Sequence, residues 1–253
     1  MGAQAVLLFV AALLGGAINS VAGGGSFLTF PALILSGVPP IHANATSTVA
    51  LWPGSVASVG AYRRELRTIE HALLFSLVSL VGGALGAIVL LRTPSATFQQ
   101  LIPYLLLAAT LLLGFGPKLN ARLRRNQTPD AAPGRLNLVG SVLLQLVIAT
   151  YGGFFGGGIG ILMLALFGLL GLDNIHVMNA LKTLLASCIN GIAVLIFVVE
   201  RAVSWPQASL MLVAAIIGGY GGASVARKLD PLLVRRLVLA IGCAMTIYFF
   251  VRG

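Results

Sequence analysis

Apolar residues run almost unbroken through ten stretches of this chain, and polar residues collect at the joints. The runs fall at about 3–22, 26–38, 43–62, 72–91 and 98–116, then at 136–155, 159–172, 176–199, 206–226 and 233–251. Most hold the roughly 20 residues that a membrane-crossing helix needs. The runs at 26–38 and 159–172 do not, and each directly follows a glycine triplet. They read as half-helices, either return arms of re-entrant hairpins or parts of discontinuous spans. The pattern predicts an all-α polytopic membrane protein.

The same pattern is written twice. Gly23-Gly24-Gly25 is followed by Asn44, Ala45 and Thr48, and Gly156-Gly157-Gly158 by Asn179, Ala180 and Thr183. Gly82, Gly83 and Gly86 have counterparts in Gly218, Gly219 and Gly222. One unit has been duplicated, with a glycine break at the same place in each copy. Paired broken segments in a membrane protein point to a central solute site. The only sustained polar, Pro-containing stretch runs from Asn126 to Gly134, so the expected organisation is a first repeat at 1–116, a linker at 117–135 and a second repeat at 136–253.

Composition agrees with a membrane setting. The chain has 253 residues, 58% hydrophobic and only 9% charged, whereas soluble domains are about a quarter charged. The formal net charge of +10 sits in three clusters: Arg63, Arg64 and Arg67; Lys118 to Arg135; and Arg227 to Arg236. All lie between apolar runs, where cations set topology and meet anionic headgroups, so membrane lipid and not nucleic acid is the partner implied. Placing the most basic loop, 117–135, in the cytoplasm puts all three clusters inside and leaves Arg92 and Glu200-Arg201 outside. Each copy then holds three full spans plus a glycine-broken short-helix pair. That odd parity predicts two inverted repeats. The first run lacks a basic n-region and a clear cleavage site, so it reads as a retained segment. Cys188 and Cys243 lie in apolar runs and read as small buried hydrophobes.

Candidate chemistry is sparse. A glycine triplet can pack helices closely, or turn the chain and start a half-helix whose free N–H groups and positive dipole end favour an anion. Asn44, Thr46, Ser47 and Thr48 open the third run, and Asn179, Lys182 and Thr183 its counterpart; capping and interhelical hydrogen bonds compete with ligand contact for these. Lys182 is the one cation clearly inside an apolar run; it either acts on the solute or snorkels to the interface. No carboxylate lies mid-span, which disfavours a proton relay or cation site and favours an anion. His42 and His176 sit at expected membrane boundaries without the neighbours a metal site needs. Trp52, Trp205 and Tyr62 read as packing or interfacial anchors, and Asn190 and Ser55 as path-lining or structural groups. A nucleophile–base pair at depth is absent, so no catalytic residue is assigned.

The runs Ala17-Ile18-Asn19-Ser20-Val21-Ala22-Gly23-Gly24-Gly25-Ser26-Phe27, Pro31-Ala32-Leu33 and His42-Ala43-Asn44-Ala45-Thr46-Ser47 resemble the TauE/SafE family of sulfite exporters. So do Phe155-Gly156-Gly157-Gly158-Ile159-Gly160 and Asn179-Ala180-Leu181-Lys182-Thr183. The resemblance covers nearly the whole chain and implies a bacterial inner-membrane permease for sulfite, sulfoacetate or another small sulfur-containing anion. Together with the residue reading it points to an anion site of Gly24, Gly25, Ser26, Asn44, Thr48, Gly157, Gly158, Asn179, Lys182 and Thr183. No metal or cofactor is called for. A channel-like anion pore is the main rival, and an intramembrane enzyme a weaker one.

Overall fold

The computed structural model describes residues 2–21, 24–66, 69–125, 137–172, 174–226 and 231–252. Among them every regular element is helical: α1 Gly2–Val21, α2 Ser26–Leu35, α3 Pro40–Ala61, α4 Arg63–Leu66, α5 Ala72–Arg92, α6 Ser95–Arg125, α7 Leu138–Phe154, α8 Ile159–Leu169, α9 Ile175–Val199, α10 Trp205–Ala226 and α11 Pro231–Arg252. By length and apolarity α1, α5, α9 and the Ser95–Gly116 part of α6 are able to cross a membrane. Helix α3 has 22 residues, but His42, Asn44, Thr46, Ser47 and Thr48 lower its apolarity.

Helix α5 divides its faces between large and small residues. On α5, Leu73, Leu77, Val81 and Leu85 recur every fourth residue and are exposed, while Ser79, Gly82, Gly83 and Gly86 are buried. A four-residue step keeps side chains on one helix face. The exposed face of α5 is thus apolar, and its packed face is rich in small residues with Phe75 and Leu90 among them, as small residues are at helix contacts in membranes. Cys243 follows the same logic and corrects its expected burial: it is exposed on α11.

The most extensive contacts pair α1 with α10 and α5 with α7. If α1, α2, α3, α5 and α6 are matched in order with α7 to α11, these two pairs are counterparts. So are α5–α9 with α3–α10, and α6–α8 with α2–α11. Helices α3 and α9 pack on each other, as do α6 and α11. Glycine makes the tightest seams possible: a Cβ on Gly16 would strike the Ala215 carbonyl, and one on Gly86 the Thr150 carbonyl. Helix α3 runs antiparallel to α9. Its early residue Thr46 accepts a hydrogen bond from Ser204 N, just past the end of α9, and mid-helix Trp52 donates to Ser187 O at 3.1 Å.

Two boundaries differ from or extend the sequence expectation. Helix α6 continues through Arg125, so the apolar run stops near Gly116 but the helix does not. Loss of apolarity marks where a helix leaves lipid, whereas Lys and Arg remain good helix formers. The polar stretch Asn126 to Gly134 lies outside the described residues. The short helices also end alike: α2 stops at Gly37 (φ 86°) and α8 at Gly171 (φ 81°), with Val38 N donating to Leu33 O and Leu172 N to Phe167 O. These are glycine caps in the left-handed region. Nothing lies within 4 Å of a Cβ built on Gly37 or on Gly54, and only Gly37 has positive φ. Gly37→Ala is therefore expected to cost about 1 kcal/mol and Gly54→Ala, inside a helix, to gain a similar amount. Opposite shifts in thermal unfolding of the purified protein would check this pair.

Candidate functional site

Both glycine breaks interrupt helices. The first separates α1 from α2, and the second α7 from α8. With 10 and 11 residues, α2 and α8 reach only about 15 Å, half of the roughly 30 Å apolar core of a bilayer. Neither is long enough to cross such a core upright.

The two breaks are built differently. At the second, Gly156 (φ 80°) and Gly158 (φ 77°) occupy the left-handed region that residues with a Cβ resist. The Tyr151 hydroxyl donates to Gly157 O at 2.7 Å and holds the turn. At the first, Gly25 is right-handed (φ −58°, ψ −31°) and is glycine for space, since a Cβ would meet the Gly15 carbonyl. Gly24 is buried against Ile18, Phe27 and Val238. Gly23 lies outside the described residues. The packing and turning roles expected of the triplets are thus both present, packing at the first triplet and turning at the second.

Lys182 belongs to the second break. Its Nζ donates to Asn179 Oδ1 at 2.9 Å, one helical turn back, and its methylene stem lies over Gly160 in the first turn of α8. A Cβ on Gly160 would sit 3.2 Å from Lys182 Cδ, so glycine admits the lysine there. Ile159 N and Ile161 N bond to the Gly156 and Gly158 carbonyls, while the amides of Gly157, Gly158 and Gly160 have no backbone partner among the described residues. The first N–H groups of a helix are left without internal partners by its geometry. A cation, an amide side chain and unpaired backbone donors therefore meet at one half-buried place.

Asn44, from the first half of the chain, reaches the same break. It is buried, and its Nδ2 donates to Phe154 O at 3.0 Å, at the end of α7. Phe30 on α2 meets the ring of Phe155 edge-on at 5.6 Å, which ties the first short helix to the second triplet. Gly24 packs toward α1 and α11 and Gly25 toward α1, and no hydrogen bond among the described residues joins these glycines or Ser26 to Lys182 or Asn179. Thr48 bonds back to Asn44 O in its own helix, Thr46 pins the α9–α10 loop, and Ser47 is paired with Thr29 at 2.6 Å. Each of those hydroxyls thus has a partner within the protein. Thr183 and Ser26 are half-buried at their helix starts. Tyr151 and Thr29 were not singled out by sequence; the available signal was a hydroxyl within five residues of each triplet.

Comparison with known proteins decides what these breaks belong to. The family model described as "Sulfite exporter TauE/SafE" matches residues 8–249. The chain belongs to that family. It is 28% identical to a probable membrane transporter protein of Haemophilus influenzae over 248 residues, covering 95% of this chain and 92% of the relative. A probable membrane transporter protein of Sinorhizobium is 28% identical, with 95% and 90% covered, and one of Escherichia coli K12 is 27% identical, with 95% and 87% covered. No solved structure gives a significant match. As a TauE/SafE family member with apolar spanning helices, this chain is a multi-pass bacterial inner-membrane transport protein and not an enzyme.

Proposed function

We propose that this TauE/SafE protein moves a small sulfur-containing anion, such as sulfite, sulfoacetate or a related organosulfonate, by alternating access around a central site. Lys182 carries the reading. Its ammonium is held by Asn179 beside the first turn of α8, inside an otherwise apolar run. A charge at membrane depth is retained where it meets a solute or a partner. The adjoining unpaired amides and the positive end of α8 add to the attraction for an anion. Lys182, Asn179, Gly157, Gly158 and Asn44 form the core of the proposed site. Gly24, Gly25, Ser26, Thr48 and Thr183 complete it when the two short helices close around the cargo.

The proposal includes two inverted repeats, 1–116 and 136–253, flanking a cytoplasmic linker at 117–135. Reciprocal packing of matched helices and the antiparallel run of α3 against α9 support it. Inverted repeats rocking about their shared interface would expose the site to each side in turn. With no mid-span carboxylate to carry a proton, transport driven by the membrane potential suffices, because an anion leaves a negative interior downhill.

The test is flux in proteoliposomes over sulfite, thiosulfate, sulfate, sulfoacetate and taurine. Saturable flux of a sulfur oxyanion or sulfonate, accelerated by the same anion on the far side, is the expected result. Single-channel currents would replace alternating access with an open pore. Absence of flux for the whole panel would remove the cargo class.

A further inference from the structure

A second polar concavity lies away from Lys182. Where α3 begins, a cavity of about 470 Å³ opens between the α5–α6 corner and the loop after α9. Its polar wall holds His42, Arg92, Thr93, Ser95 and Glu200, and Ile41, Leu91 and Ala202 give it an apolar floor. That volume is in the range of small-molecule sites.

The charges in it are divided. Arg92 stands beside Ser95, the first residue of α6, where the positive end of that helix dipole emerges. Glu200 caps the C-terminus of α9, so its carboxylate adds to the negative end of a dipole. Both side chains line one cavity, yet no ion pair joins them among the described residues. The Glu200 corner is also held in place. Arg201 adopts a left-handed φ of 55°, which disfavours residues with a Cβ. Ala202 N donates to Phe197 O at 2.9 Å, and Ser204 N to Thr46 Oγ1 at 3.0 Å. The backbone that carries Glu200 is thus fixed next to a strained residue, and its side chain lines the same cavity as Arg92.

A plain anion entering this cavity gains from Arg92 and loses to Glu200, and a plain cation meets the reverse. Only a molecule with both charges gains from both walls. We infer that the cavity binds a small zwitterion, its oxyanion head on Arg92, Ser95 and His42 and its ammonium on Glu200. The site is separate from the one around Lys182, and its occupant need not be the transported solute.

The test uses Thr93→Cys, a cavity-lining position outside the proposed ligands, in a background carrying Cys188→Ala and Cys243→Ala, labelled with a neutral, membrane-impermeant maleimide in phosphatidylglycerol vesicles. The probes are β-alanine and 2-aminoethanesulfonate, against propionate, ethanesulfonate and propylamine. At about ten times the dissociation constant a zwitterion slows labelling about tenfold by mass action, and singly charged analogues at the same concentration do not. Arg92→Gln and Glu200→Gln each abolish the protection; both residues are exposed, so the fold tolerates the change. Lys182→Ala keeps the protection while losing anion flux, which separates this site from the transport reading. Equal protection by propionate or ethanesulfonate, or none by any probe, would overturn the inference. Protection seen only when phosphatidylethanolamine is added would overturn it as well, assigning the cavity to a lipid headgroup.

Discussion

Replacing Lys182 with alanine is expected to raise the KM for the transported anion about thirtyfold or more, the equivalent of roughly 2 kcal/mol for a hydrogen bond to a charged group. The stem of Lys182 packs over Gly160 and its ammonium is bonded to Asn179 at 2.9 Å. Lys182→Met keeps most of the stem and removes only the charge, so it should lose affinity to a similar degree. Asn179→Ala should lose less, because it leaves the ammonium in place and removes only the group that aims it. Protein yield and elution volume should stay those of the parent, since discarding a charge from an apolar run relieves a desolvation cost. A KM in Lys182→Met equal to that of the unchanged protein would place Lys182 outside the site. It would then be a lysine snorkelling to the interface.

Bulky residues at the helix seams should do more damage still. In Gly218→Val or Gly86→Val the added Cβ would fall on the backbone carbonyls of Leu13 or Thr150, and backbone yields less than a side-chain tip. Overpacking by a methylene or two against side chains already costs about 1–3 kcal/mol, so a clash with backbone at the two most extensive helix pairs should exceed about 3 kcal/mol. Little folded protein is expected, read as loss of the monodisperse peak in fluorescence-detected size exclusion. Gly54→Val is the control. Its helix position is open, with nothing within 4 Å of the new Cβ, and it should elute normally. Normal elution of Gly218→Val would mean that α1 and α10 are not held by close backbone contact.

Much of this was legible in the residues because lipid simplifies the code. Where backbone polar groups have no water to bond, a run of about 20 apolar residues must be a helix, and a shorter one after a glycine triplet must stop at depth. That is why α2 and α8 are visible in the apolar pattern, along with Lys182 as a charge out of place. The duplicated glycines also announced the close seams between helices. Less could be read where two forces act on one residue. The end of α6 is not marked by its apolar run, because apolarity and helix propensity part company at Gly116. Cys243 was expected inside because an apolar residue in a membrane protein is as readily on the lipid face as in the core. Thr46 and Ser47 were indistinguishable from solute ligands, since a hydroxyl's partner is chosen by whichever helix arrives beside it.

By itself the sequence determined the membrane setting, the helical class, the two chain breaks and the family, all of which depend on local composition or on spacing along the chain. The tertiary structure decided which break holds the cation, that Asn44 in the first half of the chain reaches the end of α7, and that Arg92 and Glu200 share a cavity. Those facts join residues between 22 and 110 positions apart. Nothing in a linear pattern encodes such meetings, because they follow from how completed helices pack.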